Sequence, residues 1–160
     1  QRGPADLLTE QFYRRRTQEI EDRIESISAN RRWSREMIRQ YDEKCGIASS
    51  LVNWKRVSRE MVKKAVTRIP KEHLVAIFSR MCKDLRANSS GFPDLVLFPP
   101  RKLARKHSDA GGFALPADIG LPYVLVEVKG PGDHVQKNQK RWMACFAEHG
   151  VPCRVFRMSL

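Results

Sequence analysis

YVLVEVKGPGDHVQKNQKRWMACFAEHGVPCRVF, residues 123–156, decides the fold. Its first six residues, YVLVEV, are a short, nearly continuous apolar run and predict a strand. Val155 and Phe156, with their neighbours, predict another at the C-terminus. Between them, Asp133 with Gln136 three residues later has the capping-box spacing and predicts a helix start. Val135, Trp142 and Phe146 then form that helix's inward stripe. Strand, helix, strand in this order predicts a crossover and a sheet that is at least partly parallel. Just upstream, DLVLF at residues 94–98 predicts a further buried strand.

The first half reads as helices. Tyr13, Ile20, Ile24 and Ile27 make one amphipathic stripe; Trp33, Met37 and Tyr41 make a second, with Gly46 as its stop. Val57, Met61, Ala65 and Ile69 form a weaker third. In the fourth, Pro70 opens the helix and Leu74, Ile77, Phe78, Met81 and Leu85 share a face, before Asn88-Ser89-Ser90-Gly91 breaks it. Residues 99–122 are a long Gly/Pro/Asp-containing insertion headed by Arg101, Lys102, Arg105 and Lys106; loops of that length are functional or disordered. No internal repeat is found.

The chain has 160 residues and 41% hydrophobic residues, enough for one modest core. Thirty Lys and Arg against 18 Asp and Glu give a net charge of +12, which favours a polyanionic partner, nucleic acid first and anionic membrane second. No apolar run approaches the roughly 20 residues of a membrane span. The start, QRGPADLL, has neither an initiator Met nor a signal-peptide core; it reads as an internal segment, and export is not supported. Cys45, Cys82, Cys145 and Cys153 form no CxxC, so buried thiols in a reducing cell are expected. Cys145 and His149 have the pitch of two metal ligands, but His149 just before Gly150 also suits a helix C-terminus.

The chemistry sits on Glu127 and Lys129. They are two apart on the strand, so both side chains leave one face while Val124, Val126 and Val128 take the other. An acid and an amine on an apolar strand need a reason, because burying unpaired charge is costly. Asp94 opens the previous strand after Pro93, which holds Phe92 extended. If the strands are neighbours, Asp94 and Glu127 converge. Two hard carboxylates suit Mg2+ or Mn2+, with the Val128 carbonyl as a further neutral ligand. Lys129 could orient a water and stabilise charge developing at phosphorus. This is a phosphodiester-hydrolysing constellation. Gln139 falls within the apolar stripe of the next helix, so it is either satisfied by backbone or placed near the site. Lys137, Lys140 and Arg141 on the flanks, and the four cations heading the insertion, are candidate DNA-phosphate contacts or a solvated face.

GFPDLVLF (residues 91–98) followed by LVEVKGPGDHVQKNQKRW (residues 125–142) resembles the nuclease domain of the Fanconi-associated nuclease family. That is the virus-type replication-repair nuclease (VRR-NUC) branch of the Pro-Asp…Glu-x-Lys superfamily. SSLVNWKR (residues 49–56), the helix near Met81 and residues 12–27 resemble the family's lead-in. The resemblance implies an α/β fold: a restriction-endonuclease-like core, a mixed sheet flanked by helices, preceded by a helical lead-in. Residues 1–47 would be that lead-in, continuing from an upstream region, and residues 48–160 the nuclease domain, with its basic insertion at about 99–122.

It further implies a divalent-metal, structure-selective DNA nuclease, a 5′ flap endonuclease and 5′-to-3′ exonuclease serving repair, including that of interstrand crosslinks. Asp94 and Glu127 would be metal ligands, Val128 a carbonyl ligand, Lys129 the catalytic lysine and Gln139 the supporting polar residue. Mg2+ or Mn2+ is the expected cofactor. Branched or flapped DNA is the expected partner, with no membrane; the setting is intracellular, cytoplasm or nucleoid in a bacterium and nucleus in a eukaryote. The insertion exceeds the family pattern. Family members also carry another metal-binding acid upstream, with DNA-binding and helical-repeat regions, so these residues alone are expected to make an incomplete site. Alternatives are a non-catalytic DNA-binding module on a degenerate nuclease fold, or a junction resolvase or restriction-like endonuclease.

Overall fold

Helical periodicity in the first half becomes six helices among the described residues of the computed structural model, which are residues 3–99 and 121–158. They are α1 (Glu10–Arg15), α2 (Thr17–Ala29), α3 (Trp33–Lys44), α4 (Arg59–Arg68), α5 (Lys71–Lys83) and α6 (Leu85–Asn88). The Tyr13-to-Ile27 stripe is thus split. Arg16 leaves the helical region at φ −128° and bonds Asp6 Oδ2 at 3.0 Å. Ser58 caps α4 by accepting from Met61 N–H, and Gly46 supplies a left-handed stop after α3 at φ +86°. Helix α2 packs on α5, and α3 on α4. Two expected core positions are wrong: Met61 and Phe78 are more than half exposed, while Val66, Ile69 and Ile77 carry the burial. Cys45 is likewise exposed rather than buried. The buried side of α4 runs through Val62, Val66 and Ile69, with Ala65 half-buried, so Met61 alone of the predicted stripe turns to solvent.

Contacts divide the chain into two units, residues 1–89 and 90–160. Among its described residues the second holds a three-stranded mixed sheet in the order β1 (Leu95–Leu97), β2 (Val124–Lys129), β3 (Cys153–Arg157). Strand β1 pairs antiparallel with β2, Leu95 opposite Val126; β3 runs parallel to β2, Glu127 opposite Val155. The crossover is α7 (Lys137–Glu148). Tyr123, Trp142 and Phe146 are fully buried, with Trp142 and Phe146 stacked at 5.3 Å.

Two further expectations fail here. Leu95, Val96 and Leu97 are all more than 40% exposed: among the described residues β1 is an edge strand of three residues and not a buried one. Helix α7 begins at Lys137 and not at Asp133. Asp133 Oδ2 instead accepts from Gly130 N–H at 3.0 Å and closes the turn after β2. The capping box is real but lies one turn later, between Gln136 and Gln139.

Candidate active site

Backbone alternation on β2 builds the site. Leu125 N–H donates to Pro152 O, and Lys129 O accepts from Met158 N–H at 2.8 Å, so the odd residues bond toward β3. The even ones therefore turn their backbone groups toward β1. Val128 N–H finds no strand there; it donates to Asp94 Oδ2 at 2.9 Å. Continuing the register one residue beyond Leu95 sets Asp94 opposite Glu127, and one more sets Pro93 opposite Val128. Proline has no N–H to give, so the ladder stops and the Val128 carbonyl has no ladder partner. Pro93 thereby does more than hold its neighbour extended: it ends the ladder and leaves the Val128 carbonyl without a strand donor.

Glu127 and Lys129 share the same face, as their spacing requires, and both are buried. Lys129 Nζ lies 2.9 Å from Glu127 Oε1, which also accepts from Gln139 Nε2. Glu127 Oε2 is buried with no hydrogen-bond partner among the described residues. A buried carboxylate oxygen left unsatisfied costs on the order of 1–3 kcal/mol or more. Its charge is felt nearby: burial, then the Glu127 carboxylate, pushes the Cys153 thiol up to about 11. Burial raises the Tyr123 phenol as well, with Cys153 adding to it.

These donors suit a hard divalent cation. Asp94 offers a carboxylate, Glu127 an orphaned oxygen and Val128 a carbonyl without a ladder partner, all of them oxygen atoms. Among the described residues no group of three or more His, Cys, Asp or Glu forms such a centre, so the two acids need neutral oxygens or a donor from elsewhere. The Cys145–His149 pair makes no centre either. His149 Nδ1 sits 2.9 Å from the Cys145 carbonyl, which can only accept, so that nitrogen carries the proton.

Gln139 settles the choice left by its sequence position by doing both things. Its Oε1 accepts from Gln136 N–H at 2.7 Å, capping α7, while its Nε2 reaches Glu127. Lys137, Lys140 and Arg141 are exposed on the same two turns. Arg101, Lys102, Arg105 and Lys106 lie outside the described residues. Sequence reasoning missed Ser90, Gly91 and Asn138. Asn138 Nδ2 donates to Ser90 Oγ at 2.8 Å. A Cβ on Gly91 would fall 2.7–2.8 Å from Asn138 and Gln139, and its φ is +82°. The only sequence signal was a glycine and a serine before Phe92, which reads as a turn.

The VRR-NUC domain family profile matches residues 29–159. The Fanconi-associated nuclease 1 homolog of Pseudomonas aeruginosa is 34% identical over 157 residues, covering 96% of this chain and 24% of that protein. The homolog of Oryza sativa subsp. japonica is 31% identical over 159 residues, covering 99% and 15%. A crystal structure of paFAN1 bound to 2-nucleotide 5′ flap DNA with a gap superposes with a TM-score of 0.71 at 29% identity. The match covers 98% of this chain and 26% of that one. The chain therefore spans about a quarter or less of the length of these relatives. Among the described residues no helix is long and apolar enough to cross a membrane.

Proposed function

This chain belongs to the VRR-NUC domain family, and from that premise we propose that it is the catalytic part of a metal-dependent, structure-selective DNA nuclease. Asp94, Glu127 and the Val128 carbonyl hold Mg2+ or Mn2+, and branched or flapped DNA is the substrate. The observation that carries this reading is Glu127 Oε2, a buried carboxylate oxygen with no hydrogen-bond partner among the described residues, on the residue that the continued register sets opposite Asp94. When bound, the cation supplies a Lewis acid for the phosphoryl oxygen and acidifies a water.

The chain's own residues do the rest. Gln139 and Lys129 both occupy Oε1 of Glu127, which leaves the buried Oε2 free to take a cation. Lys129 keeps further ammonium protons beyond the one directed at Glu127. They orient the attacking water and stabilise charge developing on the phosphate. Lys137, Lys140 and Arg141, with Arg101, Lys102, Arg105 and Lys106, contact the DNA backbone and carry no sequence information. Relatives named as Fanconi-associated nucleases, and paFAN1 bound to 5′ flap DNA, support 5′ flap processing; 5′-to-3′ trimming and a role in interstrand-crosslink repair are what the family resemblance adds. The family resemblance places a further ligand acid upstream of Gln1. Residues 48–160 are the nuclease domain and residues 1–47 its lead-in.

The test uses the full-length protein on 5′ flap and plain duplex DNA with Mg2+. Asp94→Ala and Glu127→Ala should each abolish cleavage while DNA affinity holds or rises, because fewer negative charges face the phosphates. A Glu127→Ala protein that cuts the flap at the unaltered rate contradicts the proposal.

A further inference from the structure

The two carboxylates reach the site on different strands, and the same turn of helix grips the approach to each. Gln139 holds Glu127 directly, and its amide cannot flip without loss. Oε1 is committed to Gln136 N–H at 2.7 Å, so the NH2 group must face the carboxylate. One residue earlier, Asn138 Nδ2 bonds Ser90 Oγ at 2.8 Å. Gly91 then lies against the backbone of the same turn, where a Cβ would meet Asn138 C at 2.7 Å and Gln139 N at 2.8 Å. Phe92 continues the contact along the helix, edge-on to Trp142 at 5.1 Å and to Phe146 at 5.8 Å. Pro93 follows with φ fixed by its ring, and Asp94 is next. Few soft dihedrals separate the anchored Ser90–Gly91 turn from the Asp94 carboxylate.

We propose that Asn138 is a positioning residue for the metal site: through Ser90 it sets where Asp94 stands against Glu127. The first turn of α7 is then a single clamp on both acids. Gln139 acts on one of them by contact, and Asn138 acts on the other at a distance of four residues. Asn138 and Ser90 act on the carboxylates through the chain between Ser90 and Asp94. Their loss changes how well the two carboxylates share a cation, because ligands held loosely by their supporting partners bind metal more weakly. This inference rests on the reading that Asp94 and Glu127 hold a divalent ion.

The experiment is calorimetric titration of the full-length protein with Mn2+ in the absence of DNA, alongside thermal melting and flap cleavage. Asn138→Ala and Ser90→Ala should each weaken Mn2+ by about tenfold, the lower end of what loss of a ligand-orienting partner costs. The double variant should be no worse than either single one, since both remove the same bond. Ser90→Thr keeps the hydroxyl and should bind Mn2+ like the unaltered protein. Asp94→Ala serves as the control and should lose the Mn2+ site. If Asp94→Ala loses the ion while Asn138→Ala and Ser90→Ala bind it normally, the clamp is overturned and the metal site stands. If Asn138→Ala lowers the melting temperature without moving Mn2+ affinity, its role is structural and the proposal fails. If Asp94→Ala binds Mn2+ unchanged, the reading of the site fails, and the clamp with it.

Discussion

Each unit carries an ion pair of similar geometry in an opposite setting. In the helical unit, Arg59 grips Asp42 in two parallel contacts at 2.8 and 3.0 Å on the surface. The guanidinium holds the Asp42 carboxyl below the usual carboxylate range, and the carboxylate raises the arginine in return. In the sheet unit, Lys129 meets Glu127 at 2.9 Å with side chains 9% and 3% exposed. The surface pair keeps most of its hydration, is screened by salt and matters little to stability. The buried pair has lost hydration on both ions and leaves one oxygen unsatisfied. Valines fill the neighbouring positions of β2 and would fill these two at no such cost. The buried pair's cost is what the proposed metal site would account for; the surface pair needs no such explanation.

The comparison breaks most visibly if both buried charges are replaced together. Glu127→Gln/Lys129→Met removes the pair with little change of volume. Cleavage should fall by at least about 10³-fold, since several kcal/mol of metal stabilisation leaves with the carboxylate. Stability should hold or rise by about 1–4 kcal/mol, the usual result of replacing a buried pair with uncharged groups. Urea unfolding and a flap assay on one preparation would measure both. A double variant that loses several kcal/mol of stability would mean the pair is structural.

Lys129→Ala alone should raise the barrier by about 2–4 kcal/mol, as for a lost transition-state donor. Single-turnover cleavage at saturating DNA isolates that step, and an unchanged rate removes Lys129 from the mechanism.

A smaller effect follows from the field of Glu127. Cys153 has its thiol pushed up to about 11 from an ordinary value of 9.0, by burial first and the carboxylate second. The folded state holds this proton more tightly than the unfolded chain does. Its contribution is therefore intact below pH 9 and is lost as pH rises toward 11. Stability measured across that window should decline, and less steeply in Cys153→Ala. Equal slopes in the two proteins would place the thiol outside the buried site. Smallest of all is the surface pair. Asp42→Asn should leave melting temperature and cleavage nearly unaltered, and salt should not widen the difference.

The site was legible because its residues break the pattern around them. Glu127 and Lys129 interrupt an apolar strand, and a strand's two-residue period alone places them on one face. The crossover was legible for the same reason, Trp142 and Phe146 being four apart on a helix between two apolar runs. What escaped depends on contacts distant in sequence. DLVLF is apolar, yet nothing in it says that β1 is a three-residue edge strand. Asp133 has an excellent capping-box spacing, but Gly130 N–H claims its carboxylate and delays the helix to Lys137. Gly91 reads as a turn residue; that its missing side chain admits the first turn of α7 follows only from residues nearly fifty positions away. The role of Pro93 in ending the ladder opposite Val128 needs the antiparallel register, which no local pattern encodes.

In the proposed site, the buried oxygen of Glu127, unpartnered among the described residues, would face a divalent cation shared with Asp94 and the Val128 carbonyl. Crystals of the full-length protein soaked in Mn2+, with data collected at the manganese edge, test it directly. An anomalous peak within coordination distance of Glu127 Oε2, an Asp94 carboxylate oxygen and the Val128 carbonyl, absent in Glu127→Gln crystals, is the result expected. No peak there, under conditions in which the same protein cleaves DNA with Mn2+, would contradict it.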